Sequence, residues 1–201
     1  MEDRAQRHLE IGFELDRRWH ALRGRRVEDD MDATKRPALI EIARILDESG
    51  LPWAIIGGVA LQIHRSEPRT TLDIDVAVAD RAALPRQQLA EAGFRRTGEF
   101  EHSENWVAGN GTPVQFTDDP ALRDAIGRAV PVRLDESDLR VLRAADLLRE
   151  KLRAGTDPGR RRSKRFQDLA DVLGLLEDDP TLAEGLSDDE RRIVEGLEKD
   201  R

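Results

Sequence analysis

Apolar residues recur every three or four positions through residues 35–49, and this spacing predicts an amphipathic helix that Gly50 ends. The apolar run at 51–56 that follows contains β-branched Ile55 and Ile56. We therefore expect a buried strand, a turn at Gly57-Gly58, and a second helix over about 59–65.

Residues 70–80 alternate between apolar and polar positions, which is typical of a β-strand. Leu72, Ile74, Val76 and Val78 would then face one way, and Asp73, Asp75, Ala77 and Ala79 the other. A short helix over 84–92 and a three-stranded meander over 94–118 should follow, with a turn at 109–111.

The chain is helical in pattern from Asp138 onward, through about 138–155 and 163–178, and ends in an acidic tail from Leu186. Residues 1–34 indicate a polar, mostly helical arm that the segment GRRVEDDMD interrupts. We expect an α+β protein with a mixed sheet flanked by helices, and divide it into an arm (1–34), a core (35–135) and a C-terminal helical lobe (136–201).

Composition excludes several classes of protein. The 201 residues include no cysteine, which rules out disulfide scaffolds, thiolate zinc sites and cysteine nucleophiles, and is compatible with a reducing cytoplasm. The four histidines are widely spaced, so a zinc hydrolase is not indicated. No apolar run approaches the ~20 residues of a membrane helix, and the charged N-terminus does not resemble a signal peptide. We therefore expect a cytoplasmic protein with no membrane association.

Charge is distributed unevenly along the chain. The net charge of −8 argues against a generally basic nucleic-acid-coating protein. Residues 151–165, however, contain seven basic residues and one acid, Asp157. This stretch is either a basic surface for a nucleic acid or a solvated connection between two helices.

Two short motifs are candidates for chemistry. Gly57 and Gly58 lie between a strand and a helix, where a bare backbone and free N–H groups suit a phosphate, although such a pair taken alone more often reflects ordinary packing. Asp73 and Asp75 would project from one face of a strand, about 6–7 Å apart. The pair is either an ordinary solvated face or a site for Mg²⁺, which takes one or two carboxylates together with substrate phosphates.

Together these motifs carry a family resemblance. The segment IIGGVALQIHRSEPRTTLDIDVAVA resembles the core of the polymerase-β-type nucleotidyltransferases, with a glycine pair, then R-x-T at Arg69 and Thr71, then D-x-D. The later segment EKLRAGTDPGRRRSKRFQDLADVLGLL resembles a helical motif of the AbiEii-like group, the toxins of type IV toxin–antitoxin systems. Lys151, Asp168 and Asp171 match its lysine and its two aspartates, and the resemblance covers about 37–176.

The resemblance implies a nucleotidyltransferase-like fold, with 35–135 as its core, and a function for each matched residue. Asp73 and Asp75 would hold one or two Mg²⁺ ions, and Gly57 and Gly58 would cradle the triphosphate of an NTP. Lys151 would offset phosphate charge, while Asp168 fixes that lysine or contacts the base or ribose. Arg69 and Thr71 would lie at the phosphates, or Arg69 would brace the D-x-D strand. The acceptor would be tRNA or a protein, and a cognate antitoxin would be a partner.

One position departs from the superfamily pattern. A third carboxylate usually comes from a later strand, and the corresponding position here is Gln115. Three explanations are open: Asp168 or Asp171 contributes instead, Asp118 or Asp119 reaches in, or the protein binds nucleotide without efficient transfer. The function is accordingly a Mg²⁺-dependent transferase and toxin, a catalytically weak nucleotide-binding or partner-binding module, or a small-molecule nucleotidyltransferase.

Overall fold

The computed structural model of the protein describes residues 2–22, 34–67 and 69–199. Its helices are α1 (Glu2–Leu22), α2 (Arg36–Ser49), α3 (Gly57–His64), α4 (Arg86–Glu91), α5 (Arg123–Gly127), α6 (Ala144–Thr156), α7 (Arg162–Asp178) and α8 (Asp188–Lys199). Its strands are β1 (Trp53–Ile56), β2 (Ile74–Val78), β3 (Arg95–Phe100), β4 (Ser103–Val107), β5 (Pro113–Thr117), β6 (Val130–Leu134) and β7 (Ser137–Val141).

The strands form one mixed sheet in the order β3-β4-β5-β2-β1-β7-β6. Strand β2 lies at its centre, antiparallel to β1 and parallel to β5. Every residue of β1 is buried, and Ala77 of β2 is fully buried although it shares a strand face with Asp75. Both faces of the sheet are therefore covered at β1, which accounts for the continuous apolar run of this strand.

Most of the predicted elements are present. The amphipathic helix, the buried strand, the meander and the late helix correspond to α2, β1, β3–β5 and α7. The described part of the predicted arm, Glu2–Leu22, is the helix α1, whereas the predicted break at 24–32 lies outside the described residues. Within the described residues, no helix combines the length and apolar character required to cross a bilayer.

Three local predictions are wrong. The glycine pair does not form a turn before the helix, because α3 begins at Gly57 itself. Asp73 does not lie on the strand, since β2 begins one residue later at Ile74. The helical prediction from Asp138 fails up to Leu142, because 137–141 forms β7, which pairs with β6 and with β1.

Helix α1 is part of the core. Leu9 and Phe13 are almost fully buried, and the His8 ring hydrogen-bonds to the carbonyl of Ile63 in α3. Near its C-terminal end, Asp16 accepts a hydrogen bond of 2.5 Å from Nζ of Lys35, and both side chains are buried. The helix is thus anchored to the residues that precede α2.

Candidate active site

The residues singled out in the sequence meet at one cleft of about 370 Å³. It opens above the central strands and is bounded on the other side by α6 and α7. Seven of the eight proposed site residues line it: Gly58, Arg69, Thr71, Asp73, Asp75, Lys151 and Asp168.

Gly57, the eighth, lies beneath the carboxylate of Asp75. The register of β1 with β2 places Asp75 opposite Ile56, immediately before Gly57. A Cβ added to Gly57 would lie 2.9 Å from Cγ of Asp75 and closer still to Oδ2, and the φ of Gly57 is +60°. Only glycine both adopts this conformation readily and leaves room for the carboxylate.

Gly58 has the same relation to Thr71. A Cβ at Gly58 would lie 2.5 Å from Cβ of Thr71. The Thr71 hydroxyl donates a hydrogen bond of 2.7 Å to Oδ1 of Asp73. The glycine pair therefore allows the segment that carries both aspartates to lie directly against the start of α3.

The two aspartates have different surroundings. Asp73 is exposed at the cleft, whereas Asp75 is half-buried at its floor. Burial, with a further contribution from the charge of Asp73, raises the pKa of Asp75 to about 7. The floor of the cleft thus concentrates negative charge that a cation would stabilise.

Lys151 lies across the cleft from these carboxylates and is almost fully buried. Its Nζ donates a hydrogen bond of 2.7 Å to Asp168 and lies 3.3 Å from Asp171. Burial opposes the charge on Lys151, but neighbouring carboxylates, Glu150 among them, outweigh it and raise its pKa. Lys151 is therefore a fixed cation.

Two arginines complete the network around this lysine. Arg69 donates two hydrogen bonds, of 2.8 and 3.0 Å, to Asp171. Arg160 donates one of 2.8 Å to Asp168. The bidentate Arg69 pair ties the segment before β2 to α7, so this arginine braces the helical side of the cleft rather than the D-x-D strand itself.

Gln115 occupies the expected position of a third carboxylate. It pairs with Asp75 in the β2–β5 register, lines the cleft, and donates a hydrogen bond of 3.1 Å to Oδ1 of Asn105 on β4. Asp118 and Asp119 make other contacts, with Arg81 and Arg153 respectively, and neither lines the cleft. The position beside Asp75 is therefore a neutral amide.

Several cleft residues were not singled out from the sequence. Arg160 and Lys164 were noted only as members of a basic run, and the remaining polar ones carry no motif of their own. Some of them lie on strands of the meander, and the others lie in or near the connection between α6 and α7. They are Thr97, Asn105, Trp106, Arg160, Lys164 and Gln167.

The donor set fits a magnesium ion that shares its coordination with phosphates. Asp73 and Asp75 would supply two hard oxygen ligands, and no cluster of three His, Cys, Asp or Glu suited to a metal occurs among the described residues. Mg²⁺ is commonly held by one or two carboxylates plus substrate oxygens, rather than by a cage of protein ligands. The excess negative charge around Asp75 is consistent with the same ion.

Three solved structures share much of this fold. An antigenic nucleotidyltransferase-like protein from Paracoccidioides brasiliensis has a TM-score of 0.57 at 21% identity, covering 83% of this chain and 88% of its own. JHP933 from Helicobacter pylori gives 0.54 at 16% identity, covering 85% and 76%. The antibiotic-resistance factor ANT(2'')-Ia gives 0.50 at 17% identity, covering 85% and 94%. At these identities the likeness establishes the fold.

A sequence comparison with curated proteins finds no significant match. A family model does match, over residues 42–196, and it covers β1, β2, the cleft and the α6–α7 pair. That model describes the nucleotidyl transferase AbiEii toxin of type IV toxin–antitoxin systems, and the chain belongs to this family.

Proposed function

We propose that this protein is a Mg²⁺-dependent enzyme that transfers a nucleotidyl group from an NTP to an RNA acceptor, tRNA in the first instance, and acts as a toxin in the cytoplasm. One observation carries the proposal: Asp73 and Asp75 face the glycine start of α3 and the fixed cation Lys151 within a single cleft. Nucleotidyl transfer requires these three elements together, because the phosphates must be held, neutralised and aligned for in-line attack.

The triphosphate would bind between α3 and the α6–α7 pair. The N-terminus of α3 presents backbone N–H groups at Gly57 and Gly58, and the helix dipole there favours an anion. Lys151 and the exposed Lys164 offer positive charge on the facing wall. In this arrangement Asp168 acts as a positioning residue, because it holds Lys151 by a hydrogen bond and is itself held by Arg160.

Asp73 and Asp75 would hold Mg²⁺ between the protein and the phosphates. When bound, the ion would neutralise phosphate charge and polarise the reacting phosphoryl group. Thr71 orients one of the two carboxylates through its hydrogen bond to Asp73. Gly57 allows the other to lie against the start of α3.

The basic N-terminal turn of α7 favours RNA among the acceptors. Arg161, Arg162 and Lys164 are exposed beside the cleft. Phosphates of a nucleic acid bind such surfaces mainly through charge, so transfer to RNA should weaken steeply with added salt. Replacing Arg161 and Arg162 with glutamate should lower transfer to RNA while NTP binding is retained.

Incubation with labelled NTPs, Mg²⁺ and total RNA tests the proposal directly. We expect label on RNA with the wild type and none with Asp75→Asn. Asp138→Asn removes an exposed carboxylate on β7 and should transfer normally. Growth arrest on expression should be relieved by Asp75→Ala and by a cognate antitoxin. Label on RNA that persists in Asp75→Asn would refute the proposal.

Gln115 favours a second candidate, a nucleotide-binding module with weak transfer. Its amide can coordinate a metal through oxygen but carries no charge and cannot act as a base. This candidate is supported if the wild type binds Mg²⁺ and NTP but labels no acceptor. Label on an added aminoglycoside, rather than on RNA, would instead identify a small-molecule transferase.

A further inference from the structure

A second, smaller cleft of about 170 Å³ adjoins the first, and α1 forms one wall of it. Trp19 and His20 of α1 line it, opposite Leu72 and the turn that ends at Pro113. The family model begins at residue 42, so α1 and Lys35 belong to the part of this chain that the model does not match. Four of the eight residues that line the cleft therefore lie outside the range that the family model matches.

The small cleft lies directly beside the proposed metal ligands. Leu72 precedes Asp73, and Pro113 lines both clefts. Because Ile74 pairs with Val114, Pro113 stands level with Asp73 across the β2–β5 ladder. A molecule in the small cleft could therefore extend past Pro113 to the D-x-D segment.

The two clefts adjoin opposite sides of one short segment, since Arg69, Thr71 and Asp73 line the first cleft and Leu72, which lies among them, lines the second. Arg69, at its start, is tied to Asp171 of α7 on the cationic wall. Leu72, three residues later, lines the cleft formed by α1. In an in-line displacement the attacking oxygen and the leaving pyrophosphate lie on opposite sides of the phosphorus. With the triphosphate on the cationic wall, the acceptor approaches from the side of α1.

The walls of the small cleft suit an uncharged planar ring. Trp19 and His20 supply aromatic surface, and both are only partly buried. The two strong charges present, Asp16 and Lys35, neutralise each other in a buried pair. A polycation or a free phosphate would find no net countercharge from that pair, whereas a nucleobase gains from stacking on an indole.

We infer that the α1 cleft, formed by Trp19, His20, Lys35, Leu72, Thr112 and Pro113, is an acceptor subsite in which the terminal nucleoside of the acceptor RNA stacks on Trp19. This inference rests on the proposed transferase function. The anchoring of α1 supports it, because Phe13 in the core and the Asp16–Lys35 pair hold the helix in place. The indole is thereby supported by packed structure rather than by an isolated arm.

Tryptophan fluorescence offers a direct assay. Of the three tryptophans, Trp53 and Trp106 are buried, at 1% and 5% exposure, and Trp19 is the more exposed. The probe is an RNA trinucleotide of randomised sequence, titrated in the presence of Mg²⁺ and the four NTPs as non-hydrolysable analogues. We expect saturable quenching in the wild type. Trp19→Phe lacks the reporting indole, so the binding of this variant is measured by equilibrium dialysis, alongside that of the wild type.

Trp19→Ala should weaken trinucleotide binding about tenfold, and raise the KM for acceptor RNA by a similar factor, through loss of stacking. The KM for NTP should be unchanged, and Trp19→Phe should restore acceptor binding because it keeps an aromatic face. Phe100→Ala is the matched control, since Phe100 is an exposed aromatic residue on β3 that lines neither cleft. If Trp19→Ala lowers the melting temperature markedly, Trp19→Leu tests the same point with an apolar filler.

Equal trinucleotide affinity in the wild type, Trp19→Ala and Trp19→Leu would overturn the inference, as would a wild type that binds no trinucleotide. Either result leaves the proposed transferase intact if label still passes from NTP to an acceptor. If the wild type binds neither Mg²⁺ nor NTP, the proposed function is refuted instead. A rise in the KM for NTP equal to that for RNA would also overturn the inference, because it would assign Trp19 to the donor side.

Discussion

Replacing Gly57 with alanine should disable the cleft without unfolding the protein. The new Cβ would approach within 2.9 Å of Cγ of Asp75, and closer to Oδ2, so the carboxylate must move. Gly50 provides a matched control. Its φ of +71° is similarly left-handed, but nothing lies within 4 Å of the position that a Cβ would take.

The two substitutions share one cost and differ in another. A left-handed conformation costs an L-residue about 1–2 kcal/mol, so both variants should lose about 2–8 °C in Tm. Gly57→Ala must in addition displace the Asp75 carboxylate by about 1 Å, and a misplacement of that size at a reacting centre costs about 100-fold in rate. The loss of transfer rate in Gly57→Ala beyond that in Gly50→Ala therefore measures how much the reaction depends on the position of Asp75.

The assay compares nucleotidyl transfer and Mg²⁺ affinity of the two variants at one temperature below both melting transitions. We expect Gly50→Ala to transfer nearly as well as the wild type, and Gly57→Ala to lose about 100-fold with weakened Mg²⁺ binding. If Gly57→Ala retains wild-type transfer while its Tm falls as expected, the carboxylate beside Gly57 does not act in catalysis. Equal loss of transfer in both variants would trace the defect to strain alone.

Three further predictions concern charge. Lys151→Met removes the lysine shared by two buried carboxylates, each of which keeps an arginine partner, and should lower the free energy of unfolding by about 1–3 kcal/mol in urea titrations. Lys164→Met at the exposed edge should change it by less than about 0.5 kcal/mol. Burial lowers the pKa of His64 below its ordinary 6.5, so below that pH the unfolded state binds more protons than the folded state. The stability of the wild type should therefore fall as the pH drops below 6.5. Tm values at pH 5.5 and 7.5 should show a smaller fall in His64→Gln. Gln115→Glu adds a carboxylate beside Asp75, so the variant should have a lower Tm than the wild type in the absence of Mg²⁺. Addition of Mg²⁺ should raise its Tm by more than it raises that of the wild type. An equal rise in both proteins would place residue 115 away from the metal.

The central strands and the glycine and aspartate motifs of the cleft could be predicted because their signals are local. An apolar run ending in two glycines and an alternating segment with two aspartates each indicate a strand without reference to the rest of the chain. The family resemblance added the residues of α6 and α7. What the pattern could not supply is the register that places Asp75 against Gly57, since strand pairing depends on the whole sheet.

The segment 137–141 shows where a local pattern misleads. Leu139 and Val141 are fully buried and alternate with the exposed residues Asp138 and Arg140, which is a strand pattern. This segment runs without interruption into the helical spacing of α6, so the sequence pattern predicted a helix from Asp138 onward. Pairing with β6 and β1 decided the conformation, because a short apolar alternation takes its structure from its neighbours.

Side-chain partners in the cleft were also beyond the reach of sequence spacing. On a helix, Asp168 would pair with Lys164 or Arg165, three or four residues earlier. In the structure it bonds instead to Lys151 and Arg160, because α6 and α7 fold back on each other. The same holds for Trp19, whose place beside Pro113 follows from the packing of α1 against the core.

Asp75, half-buried at the floor of the cleft, differs from the fully buried acids in having no ion-pair partner among the described residues. The fully buried carboxylates among the described residues each have a lysine or arginine partner, as a buried charge requires: Asp16, Glu104, Asp146, Asp168 and Asp171. Within the same part of the chain Asp75 forms no ion pair, and its pKa rises to about 7. Lys151 and Lys164 act on Asp75 only at a distance, and burial together with the charge of Asp73 outweighs them. The charge of Asp75 is therefore left for a cation to balance at the place where, in the proposed function, a metal and a triphosphate would meet.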